Sequence, residues 1–367
     1  MSGSYGRRPL LAEDLESLAT GAGVLGTGGG THPYLELLAI RQLYAQGRRV
    51  ELVEATALPG DAAVAVLGLM GAPLVTKERL PDAEHALRPL RMMEAHAGRP
   101  FAAVMSIEIG SENSILPLMV GALAGLPVLD ADAMGRAFPE AQMASFAIGG
   151  LPMTPFAIAD VRGNEVMLTR SDSPSWTERI GRRVVTEMGA IAATCSAPRT
   201  IAEVRAHGIL GSVSRAIRLG EAVRAARRRH ASPIEAVLAA ERGVHLFRGK
   251  VADVARHTTG GFVRGRATLE GGDAFAGRRF VVDFQNEFTV GWLDGRVAVT
   301  VPDLICILDS LDGTALGTET IRYGQRVDVL SLPAAPVMTS PRGLEFVGPR
   351  AFGYELDFVS LHGAEPA

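Results

Sequence analysis

Cysteine is scarce in this chain: there are two in 367 residues, Cys195 and Cys306. They form no CxxC pair and no zinc-type spacing, which argues against a disulfide framework or a structural zinc site. Each reads as a small buried apolar residue, and a reducing, cytoplasmic compartment is expected. An excess of one charge is also lacking. Lys and Arg number 37, Asp and Glu 40, and the formal net charge is −3. That balance offers no basic field for nucleic acid or an anionic membrane. No stretch approaches the ~18 uninterrupted apolar residues of a membrane span. The N-terminus has no charged segment leading into an apolar core and a cleavage site, so no secretory signal is read. Aromatics make up only 5% while glycines number 42, a pairing suited to tight turns and small-residue packing.

What is present fits a soluble globular protein: 47% apolar and 21% charged residues. The length exceeds one ordinary core and predicts two domains. The patterning predicts an α/β domain over residues 1–173, a helical connection over 174–242 and a β-rich domain over 243–367 that closes back on the first. A homo-oligomer is expected.

The most informative stretch is residues 101–140. FAAVMSIEIG reads as a buried strand ended by Gly110. SENSILPLMVGALAG reads as a helix, with Ser111 or Asn113 as N-cap and Gly125 as stop; Pro117 should kink it or reset its start. A second short strand follows over Pro127–Leu129. Ligands in open α/β sheets sit beyond the carboxyl ends of the strands. If the two strands are parallel, Glu108, Glu112, Asn113, Asp130 and Asp132 converge on one rim, with Arg136 and Glu140 close behind. The plainer reading of Asp130 and Asp132 is that they cap a turn and a helix start.

Residues 8–22 predict a helix, with Leu10, Leu11, Leu15 and Leu18 on one face, stopping near Gly21–Gly23. The run from Gly26 to Thr31 then precedes a strong helix, Pro33–Gln46. Glycines allow close backbone approach and a helix start offers N–H groups, so Gly28, Gly29 and Gly30 form a candidate anion cradle. No Gly-Lys-Ser/Thr follows, and a helix rather than a strand precedes, so no nucleotide cofactor is expected. His32 is an available acid, base or ligand. Residues 50–73 hold two strands around Pro59-Gly60-Asp61, and 81–98 a helix with His85 and His96. Residues 145–173 hold strands with a hairpin turn at Arg162-Gly163-Asn164. Residues 174–232 read as helices, with Ser175 as a cap. Within them TIAEVRAHGILGSVSRAIR has a helix-turn-helix outline, but no full basic face accompanies it.

From 243 the alternation is that of strands, with turns at Gly260-Gly261, Gly271-Gly272 and Asp294-Gly295, predicting a barrel or sandwich. Asp283, Gln285, Asn286 and Glu287 fall in one strand. Asn286 shares the inward face with Phe284 and so needs a buried partner.

GVLGTGGG, EIGSEN, GLPVLDADAMGRAFPE, FQNE, TVPDLICILD, RYGQRVDVL and GLEFVGPRAFGYELD occur in this order. Over about residues 10–360 the chain resembles the S-methyl thiohydantoin desulfurase domain family. That resemblance implies a three-layer α/β N-terminal domain and a barrel-like C-terminal domain. It further implies hydrolytic removal of sulfur from a thiohydantoin ring, and association with hydantoinase or oxoprolinase-type proteins. For such a hydrolysis Asp130 or Asp132 would be the general base with Glu108 as its partner, and Arg136 would pin these carboxylates or a substrate carboxylate. The glycine loop would hold developing negative charge, and Asn113 and Asn286, with Glu112 and His32 nearby, would bind the ring. A divalent metal on Glu108, Asp130, Asp132 and His32 ranks second. The alternatives are a non-catalytic ligand-binding or regulatory subunit of a hydantoinase-like complex, and ring opening of another five-membered cyclic imide.

Overall fold

A computed structural model of the chain describes residues 6–72, 75, 80–259 and 262–363. The strands of the N-terminal half are β1 (Arg7–Pro9), β2 (Glu51–Val53), β3 (Ala63–Gly71), β4 (Ala103–Ser106), β5 (Val128–Leu129), β6 (Ala131–Asp132), β7 (Phe156–Ala159), β8 (Glu165–Leu168), β9 (Ile191–Thr200) and β10 (Ile209–Leu210). Eight of them form one sheet in the order β1-β2-β5-β4-β3-β9-β7-β8, while β6 and β10 pair separately. β2, β5, β4 and β3 run parallel, so the segments after β4 and β5 emerge on the same rim. The helices are α1 (Ala12–Leu25), α2 (Tyr34–Ala45), α3 (Ala83–Ala97), α4 (Leu116–Ala124), α5 (Ser145–Ile148), α6 (Pro174–Glu187), α7 (Ile201–His207), α8 (Ser212–Arg228), α9 (Pro233–Glu241), α10 (Pro336–Thr339) and α11 (Pro341–Val347).

Alternation along β3 sets the layers. Ala65 and Leu67 join Leu18, Leu37, Leu90 and Leu118 of α1–α4 on one face. Val64 and Val66 join Met134, Phe146, Ile201 and Met338 on the other. The result is the expected three-layer α/β arrangement, with the chain's last helices returning to close the second face.

Three local expectations change. α1 does not stop at Gly21–Gly23 but runs to Leu25, because α8 crosses it backbone to backbone. A Cβ on Gly21 would lie 1.9 Å from the Ala216 carbonyl oxygen, and one on Gly220 would lie 1.8 Å from that of Ser17. Here glycine serves close packing, which outweighs its low helix propensity. Ser111 and Asn113 are not helix caps: Ser111–Ser114 is a 3₁₀ turn, and α4 starts afresh with Pro117 in its first turn and ends at Gly125 with φ 69°. The segment 191–200 is a strand, not a helix. α6, capped by Ser173 rather than Ser175, ends at the positive-φ pair Gly189 and Ala190. The small residues Ala192, Ala193, Cys195 and Ala197 that follow are all buried, and β9 lies between β3 and β7.

The C-terminal strands are β11 (Val244–Thr259), β12 (Phe262–Gly271), β13 (Arg279–Gln285), β14 (Glu287–Leu293), β15 (Arg296–Thr300), β16 (Leu304–Asp309) and β17 (Arg326–Leu332). They form one antiparallel half-barrel sheet in the order β15-β14-β13-β12-β11-β17-β16. Ile305 and Ile307 face its own core, while Leu304, Cys306 and Leu308 point into the core around α1. Asp294 and Gly295, both at positive φ, make the expected hairpin turn. The expected turn at Gly260-Gly261 lies outside the described residues. Asp283–Glu287 is not one strand: the chain reverses at Asn286, whose φ is 58°, and Gln285 pairs with Glu287 across the tip. Asn is among the few side chains that tolerate this left-handed conformation.

Candidate active site at the domain seam

The seam between the two sheets holds a cavity of about 100 Å³. Glu108, Glu112 and Asn113 enter it from the rim after β4, and Phe138 from the loop after β6. Thr194 and Ser196 come from β9, Arg182 from α6, Gly29 from the glycine loop, and Asn286 with Glu287 from the β13–β14 tip. The cavity is smaller than the ~150 Å³ cavity that holds benzene, so it admits nothing larger than a single small ring.

Glu108 is the centre of its polar wall. One carboxylate oxygen accepts from Asn113 Nδ2 at 2.6 Å and the other from the Phe138 N–H at 3.0 Å. Asn113 is fixed in turn, because its Oδ1 accepts from the Leu69 N–H at 2.7 Å. Ser106 stitches the rim by donating to the carbonyl of Asn113 at 2.8 Å. Burial, reinforced by the nearby charges of Asp132 and Glu112, pushes the Glu108 carboxyl up to about 8 against those two hydrogen bonds.

Glu287 is its counterpart. It is 4% exposed, and its Oε2 has no hydrogen-bond partner among the described residues. Burial and the Glu108 charge hold its carboxyl well above the usual range, with Arg136 pulling the other way. Two buried carboxyls that repel each other favour sharing protons over both being ionised. Gly29 makes room for this group, since a Cβ there would lie 1.9 Å from Glu287 Oε1. Asn286 spends its Oδ1 on the Val263 N–H at 2.9 Å, which locks the tip. Arg182, also on the wall, is ion-paired with Glu178, donates to the Pro139 carbonyl at 2.8 Å and stacks on Phe262.

The remaining expected site residues do not line the cavity. Asp130 accepts from the Ser214 N–H at 3.0 Å and its hydroxyl at 2.5 Å, and so caps the start of α8. Asp132 receives three backbone N–H groups, from Ile109, Met134 and Gly135, through one oxygen. It clamps the two rim loops together, and burial lifts its carboxyl to about 6. Arg136 does not pin a carboxylate. It donates to the carbonyls of Ala137, Pro302 and Asp303 and to Thr27 Oγ1, tying both domains together. Gly28, with φ 97°, packs on the Phe288 ring, and Gly30 packs on Ser111. The loop is thus mainly a docking strip for the second domain, and only Gly29 reaches the cavity. His32 sits among Glu16, Arg227 and Arg41, and its pKa is lowered by burial. Among the described residues no three His, Cys, Asp or Glu groups converge as metal ligands, so Glu108, Asp130, Asp132 and His32 are not a metal set.

From the sequence Glu287 is expected only as part of a strand, with no role in the site, and Arg182, Thr194 and Ser196 are not singled out. Only Glu287 leaves a trace there, as the residue following a turn-prone Asn between two apolar runs.

The fold and the seam cavity define a two-domain α/β protein whose second domain closes over the strand rim of the first. Residues 13–170 match the S-Me-THD-like N-terminal domain, and residues 172–361 the S-Me-THD-like C-terminal domain. The chain belongs to the S-Me-THD-like family. It is similar to the crystal structure of a protein from Chromobacterium violaceum at 26% identity and a TM-score of 0.77, over 96% of this chain and 99% of that one. No curated protein matches it. No helix is long and apolar enough to cross a membrane among the described residues.

Proposed function

We propose that the protein is a hydrolase for a small five-membered cyclic imide, converting a thiohydantoin to a hydantoin. The observation that carries this reading is the ring-sized seam cavity with two buried, mutually repelling carboxyls, Glu108 and Glu287, on its wall. Family membership agrees with it.

Ionised Glu108 takes a proton from water, and the oxygen adds to the ring carbon that bears sulfur. Glu287, held protonated, gives its proton to the sulfur. The carbon–sulfur bond then breaks, the adduct's hydroxyl proton returns to Glu287, and the carbonyl of the hydantoin remains. Sulfur leaves as hydrosulfide, which takes the Glu108 proton and resets the base; from an S-methylated ring it leaves as methanethiol, and the Glu108 proton goes to the ring nitrogen. A base with a pKa raised toward neutrality and an acid kept protonated by burial and by its neighbour's charge are the pairing general acid–base catalysis needs. Asn113 holds Glu108 in place, and the Asn286 tip presents Glu287.

The test is release of sulfide or methanethiol from a panel of thiohydantoins by the purified chain and by its Glu108→Gln and Glu287→Gln variants. Sulfur release lost in both variants supports the reading. Ring-opened product without sulfur release would favour imide hydrolysis instead. Ring binding with no product, beside a stable complex with a ring-opening enzyme, would favour the regulatory-subunit alternative.

A further inference from the structure

A second chamber of about 50 Å³ adjoins the seam cavity. Its walls are Leu80, Pro81, Ala86, Leu116, Met119 and Val161, apolar side chains from four separate parts of the first domain. Leu69 and Ile191 line both chambers, so those two side chains stand between them.

The polar groups at its edge are largely committed. Asp82 accepts from the N–H groups of Glu84 and His85 at the start of α3. His85 Nε2 lies 2.7 Å from the Ala159 carbonyl oxygen. Glu36, hydrogen-bonded to its own backbone, is 6% exposed and raised to about 7 by burial and by the charge of Glu112. Glu112 lines the seam cavity, so the two chambers also meet electrostatically.

We propose that the two chambers form one ligand site, in which the seam cavity holds the imide ring and the side chamber takes an uncharged aliphatic substituent carried on that ring. This rests on the ring assignment made above and adds a substrate class to it. Apolar walls favour a buried alkyl group. Glu36 and Asp82 disfavour an acidic substituent through like-charge repulsion and the cost of burying a second anion. The chamber's volume limits the group to a few carbon atoms.

The test is calorimetric binding of three hydantoins to the full chain: unsubstituted, 5-ethyl and 5-carboxymethyl. Burial of two carbon atoms predicts about 10-fold tighter binding of the ethyl compound than of the bare ring, with the carboxymethyl compound weaker than the ethyl one. Val161→Trp fills the chamber from a position 43% exposed and therefore tolerant of change. Ala86→Leu fills it from α3. Either variant should shrink the ethyl-to-bare affinity ratio toward one. Equal wild-type affinity for bare and ethyl rings, or a ratio that survives both variants, overturns the side chamber alone. Failure of every ring to bind overturns the ring assignment, and this inference with it.

Discussion

Glu108→Gln is the change that separates the chemistry of the seam from its architecture. The amide keeps the size of the side chain and removes its charge. In the folded protein the Glu108 carboxyl is raised from 4.5 to about 8, with burial the largest cause. Between those two values the unfolded chain has released a proton that the folded chain still holds. Stability therefore falls as pH rises: the contribution of Glu108 is fully present below about 4.5 and is lost as pH passes through about 8. At ~1.4 kcal/mol per pKa unit the loss is bounded at about 5 kcal/mol. Glutamine cannot ionise and removes that dependence. Its NH₂ group must, however, face one of two donors, Asn113 Nδ2 or the Phe138 N–H, so one hydrogen bond is lost, at about 1 kcal/mol. The variant should be slightly less stable than the parent near about pH 5 and a few kcal/mol more stable near about pH 9. Denaturant unfolding of both proteins at acid, neutral and alkaline pH measures the crossover. A stability difference that stays constant across that range would refute the account of Glu108 as a buried, reluctantly ionised carboxyl. The same variant should have lost turnover at every pH.

Glu287→Gln removes the acid but leaves the titration of Glu108 in place, because Glu287 is protonated and uncharged while Glu108 ionises, whose raised pKa comes from burial, Asp132 and Glu112. Turnover should fall at least ~100-fold with the acid limb of the residual pH–rate profile unmoved; a limb shifted to lower pH would show that Glu287 carries charge in the working enzyme. Gly29→Ala puts a methyl group 1.9 Å from Glu287 Oε1, and turnover should drop at least ~10-fold while bulk stability changes by less than that displacement would cost in a sealed core; wild-type turnover would show that Glu287 is free to move. Asp130→Ala removes the α8 cap and should cost about 1–2 kcal/mol in denaturant unfolding while sulfur release continues; loss of turnover in a stable variant would return Asp130 to the chemistry. Chelation should leave turnover intact, because His32, Asp130, Asp132 and Glu108 are not gathered; inactivation reversed by added zinc or manganese would contradict this.

The parallel core of the first domain was legible because two apolar runs flank a helical one, and such a unit leaves its polar residues on one rim. That logic found Glu108, Glu112 and Asn113. It also drew in Asp130 and Asp132, since a carboxylate's sequence position does not show which N–H groups it will meet. Asp130 meets the start of α8, some 80 residues on, and Asp132 meets its own loop and that of Ile109. Arg136 offered a free guanidinium to the reader, but four backbone and hydroxyl oxygens from two domains consume it. Glu287 escaped because a hairpin tip of a single residue leaves the alternation around it looking like one continuous strand. Gly21 misled for the opposite reason: glycine is read as a stop, and nothing local announces that another helix will lie against it.

β9 belongs to the part of the chain matched by the C-terminal family domain, yet it lies between β3 and β7 of the first domain's sheet. The two halves are separable as sequence and not as objects. A fragment ending near residue 170 would carry a slot one strand wide, bordered by two unpaired edges, and such edges invite mispairing and aggregation. Supplied with the other fragment, the slot has a ready occupant, so a chain cut at the domain boundary has the form of a split-protein complementation pair. For the same reason either domain, transplanted alone into another gene, would arrive with a strand missing or a strand too many.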